Sequence, residues 1–232
     1  MSLSSLVDLP AEPESEACKK SYWILGAAHQ TASELLDLFD NPGGQKREPG
    51  NPSNTDQDLL RSMLIFAGAG LDAAIKQLIK EAFPDIAEND EAVRTKVVEH
   101  FSKHLARSET ASTKDLVRWL FEEKPRTAMI NDLIKELTSD SLQSKTQIEK
   151  VIDYLKLDRK TILSVSDSTL KATFDARNMI IHELDVDFSK RPRQGQRTRT
   201  QRQRSNMVEF TNAVFGIAAG FLNEVNTKLS SF

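Results

Sequence analysis

The 232-residue chain is 39% hydrophobic and 28% charged, ordinary values for a soluble protein with one sizeable core, or one domain with an appendage. Only 6% is aromatic and β-branched alternation is scarce, which argues against a sheet-rich fold. The net charge of −3 names no partner by itself, and the lone Cys18 excludes an intrachain disulfide or a cysteine-paired metal site, favouring a reducing compartment.

Residues 1–17 are acidic and contain proline, and are expected to be a disordered N-terminus. They lack the basic start and apolar run of a secretory signal. Residues 18–39 read as a helical extension, with Leu25, Ala28, Leu35 and Leu36 on or near one side from about residue 19. The stretch 40–55 gathers Gly, Pro and Asn into a linker. The main domain is expected over 56–230. Thr55 and Asp58 form a loose capping signal, and Leu60, Leu64, Ala67, Leu71, Ile75 and Leu78 then recur at three- and four-residue steps. That is a long amphipathic helix, which Pro84 should stop.

Further helical patterns lie at about 89–107, 113–123, 127–138, 142–156, 167–185 and 206–229. One of Ser166, Asp167 or Ser168 should cap the helix at 167. No hairpin signal or internal repeat stands out, so the expected fold class is all-α, an antiparallel helical bundle. The windows "MLIFAGAGLDAAI" and "AVFGIAAGFL" are too short or too interrupted to span a bilayer. A cytoplasmic protein without membrane attachment is therefore expected.

Two sets of residues invite a functional reading that their context weakens. Gly68 and Gly70 in "FAGAGLDAA" follow no strand and lack a third glycine, so close helix contact is the better reading than a dinucleotide loop. Gly216 and Gly220 suit the same role. His100 and His104 have metal-ligand spacing but no obvious third ligand, so no metal site and no cofactor are expected.

Charge is unevenly spread. The segment "KRPRQGQRTRTQRQR" carries Lys190, Arg191, Arg193, Arg197, Arg199, Arg202 and Arg204 with no acid, leaving −10 on the remainder (−3 minus +7). Its composition reads as a flexible basic loop over 189–205, a candidate RNA-binding element that begins eight residues after His182. It has no aromatic residue on which bases could stack.

Just before it stands "RNMIIH". Arg177 offers a planar cation matched to phosphate oxygens, and His182 can exchange a proton near neutral pH. Asn178 lies four residues before His182, on the same helical face. With 14 Arg, 10 Asn and 4 His in the chain, the spacing Arg-Asn-x-x-x-His has a chance expectation of only ~0.01. Such a trio suits metal-free RNA cleavage. A base frees the 2′-hydroxyl to attack phosphorus, a cation stabilises the transition state, and an acid protonates the departing 5′-oxygen. Five residues turn a helix by about 500°, leaving Arg177 and His182 some 140° apart. Two helices facing across a symmetry axis could supply the pair where one chain cannot.

On these residues the chain resembles HEPN ribonucleases, and within that superfamily the RiboL-PSP-HEPN-like branch. The likeness spans roughly 56–230, though only "RNMIIH" matches specifically; Arg94 and His100, without an adjacent Asn, match less well. The resemblance implies Arg177, Asn178 and His182 as catalytic residues, a homodimer with a composite cleft, and metal-independent RNA cleavage by a toxin or defence effector. Some relatives carry a regulatory tyrosine two residues after the histidine. Leu184 stands there, so no particular antitoxin or inhibitor is implied. The competing readings are a helical module that binds RNA or protein without cutting, and a structural dimer with the trio at its interface.

Overall fold

A computed structural model describes residues 5–47, 50, 52–107, 109–190 and 198–232, without the side chains of 107 and 109–112. The fold is all-α. Its helices are α1 (Glu16–Asp40), α2 (Asn54–Asn89), α3 (Glu91–Arg107), α4 (Glu109–Leu120), α5 (Pro125–Ser139), α6 (Lys145–Leu155), α7 (Arg159–Ile162), α8 (Asp167–Glu183) and α9 (Arg204–Leu229). Among the described residues there is no strand, only an isolated antiparallel bridge between Val186 and Arg199.

The apolar stripe of α2 is the centre of the core. Leu60, Met63, Leu64, Leu71, Ile75, Leu78, Ile79, Phe83 and Ile86 are almost fully buried, as are Phe215, Phe221 and Val225 of α9. Each large side chain so buried contributes about 1.5–3 kcal/mol. By length and composition α2 is apolar enough to cross a membrane, unlike the shorter sequence window taken alone. In this fold more than half of that stretch is buried against other helices.

Helix ends fall where local chemistry puts them. The N-cap of α2 is Ser53 rather than Thr55: its hydroxyl accepts from the Asp56 N–H, and the Asp56 carboxylate accepts from the Ser53 N–H. Pro84 does not stop α2. A proline inside a helix costs roughly 3 kcal/mol, but buried Phe83, Ile86 and Ala87 hold this one in register as far as Asn89. Ser166 caps α8 by accepting from the Thr169 N–H.

The N-terminal boundary differs from the sequence expectation. Helix α1 is no extension, because it runs antiparallel to α2 and shares its core. Ser21 donates to the Ala74 carbonyl, Lys20 pairs with Glu81, and Ala28 faces Gly70. A Cβ on Gly70 would lie 2.3 Å from that of Ala28, which explains the glycine. Gly220 similarly admits the Ile162 backbone, whereas Gly216 faces open space.

Residues 5–15 have no regular structure beyond a bend at 14–15, yet they are tied to α9. Asn212 accepts from the Val7 N–H and donates to the Ser5 carbonyl, Asn226 accepts from the Ser15 N–H, and Leu6 and Leu9 pack on the core. The acidic composition leads to an expectation of disorder over 1–17, but two asparagines on α9 supply ties that composition cannot reveal, and α1 already begins at Glu16. Cys18 is buried in the same core, and burial pushes its thiol up to about 11.

Candidate RNA-cleavage site

Helix α8 presents the three motif residues in different settings. Arg177 is half-buried, while Asn178 and His182 are exposed one turn apart on the same face. The Arg177 Nη1 donates to Asn178 Oδ1 at 3.0 Å, so the guanidinium holds the amide beside it. His182 sits in the last turn of α8 and meets no hydrogen-bonding partner among the described residues.

The seat for Arg177 is Gly68 of α2. A Cβ there would touch Arg177 Cγ and Nε at 3.9 Å and Gln143 Oε1 at 3.6 Å. Gly68 thus admits two polar side chains rather than another helix backbone. Both Arg177 Nε and Gln143 Oε1 are buried without a hydrogen-bond partner, a donor and an acceptor left open on one side of the site. Asp72, one turn after Gly68, accepts from the Leu142 N–H at 2.6 Å and so anchors the turn that carries Gln143. Burial lowers the pKa of Arg177 and the nearby Asp72 charge opposes that shift. The guanidinium stays charged in any case.

After α8 the chain turns through two left-handed residues, Leu184 (φ 49°) and Asp185 (φ 61°). Asp185 is fully buried. Its carboxylate accepts from Arg61 Nε at 2.9 Å and from both Nε and Nη2 of Arg202. The backbone pairs there as well: the Thr200 N–H donates to the Asp185 carbonyl and the Asp187 N–H to the Thr198 carbonyl. Gln57 of α2 bonds both backbone groups of Arg202. The end of α8, and with it His182, is therefore fixed to α2.

For residues 198–205 this geometry corrects the expectation of a flexible loop over 189–205. Residues 198–203 lie against α2, and Arg204 already begins α9. Arg199 pairs with Asp58 at 2.6 Å, Arg202 with Asp185, and Arg204 with Asp40 at 2.6 Å. Three of the seven candidate phosphate contacts are thus joined to carboxylates of their own chain. Lys190 pairs with Asp187 but remains largely exposed. Arg191, Arg193 and Arg197 lie outside the described residues.

The earlier histidines turn to separate partners. His100 Nδ1 meets the Tyr154 hydroxyl at 2.7 Å and its Nε2 lies 3.3 Å from Glu136, while His104 Nε2 meets Asp115 at 3.0 Å. Arg94 donates to the Glu88 carbonyl. A cleft of about 260 Å³ opens between His100, His104, Lys96 and Tyr154, away from α8. Among the described residues no three His, Cys, Asp or Glu side chains are grouped to hold a metal ion.

Gln143, Asp72, Arg61 and Asp185 were not singled out by the sequence. Gly68 was the one available signal, and it marks the seat of a side chain. The chain matches no protein-family model, no curated protein and no solved structure.

Proposed function

We propose that the protein is a metal-independent endoribonuclease of HEPN type, acting as a homodimer in which Arg177 of one chain and His182 of the other meet at one phosphate. The observation that carries this reading is the split setting of the motif. Arg177 lies half-buried over Gly68 with Asn178 bonded to it, while His182 stands exposed at the helix end. A second α8 across a two-fold axis supplies the missing partner from either side.

In the reaction, His182 takes the proton of a 2′-hydroxyl, and that oxygen attacks the adjacent phosphorus. Arg177 stabilises the charge that builds on the phosphoryl oxygens, with Asn178 orienting the same group. The bond from phosphorus to the 5′-oxygen breaks, and an acid returns a proton to that oxygen. The products are a 2′,3′-cyclic phosphate and a 5′-hydroxyl. A cytoplasmic toxin or defence role against RNA follows from the same family reading.

The test is purified protein with total RNA, with and without EDTA. Cleavage that persists in EDTA, leaves cyclic-phosphate ends and vanishes in His182→Ala supports the proposal. Binding without any cut would favour a non-catalytic RNA-binding module on the same face. Cleavage that survives His182→Ala would remove His182 from the chemistry.

A further inference from the structure

Helices α3, α4 and α5 carry a second surface, distant in sequence from "RNMIIH". Thirteen large apolar side chains are exposed among the described residues, and six of them fall between 98 and 121: Val98, Leu105, Leu116, Val117, Leu120 and Phe121. Isolated exposed apolar residues are ordinary, but Val98 and Leu105 line one groove and the other four crowd the end of α4.

The surface has a hollow and a knob. The hollow is a groove of about 370 Å³ between α3 and α5, walled by Val97, Val98, Leu105 and Met129 and rimmed by Arg94 and Arg126. Both arginines lean on the end of α2, Arg94 through the Glu88 carbonyl and Arg126 through the Ala87 carbonyl and, at 3.8 Å, the exposed Glu88 carboxylate, and both remain exposed. The knob is the end of α4, where Phe121 is 87% exposed beside Leu120. Two exposed acids, Glu122 and Glu123, follow it directly.

Knob and hollow match in kind: an aromatic ring with two carboxylates behind it, and an apolar groove with two guanidinium groups at its edge. We infer that this face binds a second copy of the chain, Phe121 of each protomer entering the α3–α5 groove of the other with Glu122 and Glu123 against Arg94 and Arg126. A two-fold arrangement makes the contact twice, since each chain carries both halves. Charge complementarity selects this occupant. The contact is separate from the pairing of α8 helices proposed above.

A charge swap tests it in the full-length chain. One variant carries Glu122→Arg and Glu123→Arg, the other Arg94→Glu and Arg126→Glu. Each should self-associate through this face at least about tenfold more weakly than wild type by sedimentation, because like charges now meet. An equimolar mixture should restore association, since both contacts between unlike variants are complementary. Phe121→Glu should weaken association alone and in either mixture. Circular dichroism identifies any variant that has lost its helices, and the mixture distinguishes misfolding from repulsion because a misfolded chain would not be rescued. Unchanged self-association of the two variants, or no rescue on mixing two variants whose circular dichroism matches wild type, overturns the proposal. Pairing through α8 would persist in every variant and is read separately with substitutions on that helix.

Discussion

Arg202 closes on Asp185 through two hydrogen bonds, its Nε to one carboxylate oxygen and its Nη2 to the other. Arg61 reaches the same carboxylate from α2. Burial alone would raise the carboxyl pKa, but Arg202 and Arg61 together outweigh it and hold the pKa below the ordinary value. A residue in the basic segment thereby fixes the turn that follows His182.

Replacing Arg202 with Gln should destabilise the fold by about 2–4 kcal/mol, since it removes one of two cations from a buried carboxylate. Urea denaturation measures this. The folded pKa of Asp185 lies below its unfolded value near 3.9, so the stabilisation is present above about pH 4. It is lost as pH falls through the lower folded value. Asp185→Asn should lose stability at neutral pH and show a shallower acid dependence below about pH 4. An acid profile identical to wild type would mean that this carboxylate is not linked to folding.

The basic segment should divide into two functional halves. Neutralising Arg199, Arg202 and Arg204 to Gln should lower the melting temperature, with Arg202 and Arg204 contributing most because their carboxylate partners are shielded. Arg199 pairs with a half-exposed Asp58 and should matter by less than about 1 kcal/mol. Neutralising Lys190, which is largely exposed, should leave melting unchanged, and neutralising it together with Arg191, Arg193 and Arg197 should flatten the salt dependence of RNA binding. Equal effects of both sets on melting and on the salt slope would contradict the division.

Two glycines two residues apart should respond differently to alanine. At Gly70 the added carbon meets Ala28 Cβ at 2.3 Å, so α1 and α2 must separate, and a loss of about 1–3 kcal/mol is expected. At Gly68 the nearest atoms are 3.6 and 3.9 Å away, an ordinary contact. Gly68→Ala should fold normally, and Gly68→Leu should fill the Arg177 seat and reduce RNA cleavage. Thermal melts and cleavage rates on the three variants separate packing from site geometry.

Sequence periodicity locates the helices well because burial of one face is a local pattern. It cannot report which face meets which, so α1 reads as an extension although Ser21, Ala28 and Cys18 belong to the shared core. The arginines of the basic segment mislead for a similar reason. Their carboxylate partners Asp40 and Asp58 lie 164 and 141 residues away along the chain, and no local signal links them. Gln143 is invisible for the same cause: its side chain comes beside Gly68, where Arg177 also sits, because Asp72 anchors its turn and Gly68 leaves room. The motif itself was legible, being a short spacing on one helix. How its members divide between a buried and an exposed setting was not.

That division yields the most direct test of a composite site. An Arg177→Ala chain keeps His182, and a His182→Ala chain keeps Arg177. Each homodimer lacks one half of every site and should be inactive. When the two are mixed and allowed to exchange, about half of the dimers should be mixed, and each of these joins one intact His182 to one intact Arg177 across the axis. Activity should return to about a quarter of wild type, since one of two sites works in half of the dimers. A site formed within one chain gives no recovery, because neither variant holds both residues. Recovery must also fail when one chain carries both substitutions, which excludes a contaminating nuclease. The His182→Ala variant should melt close to wild type, because the His182 side chain is exposed. Arg177→Ala should melt slightly lower, because the Arg177 stem covers Gly68. Full activity of Arg177→Ala alone would show that the guanidinium over Gly68 is a packing element and has no part in the chemistry.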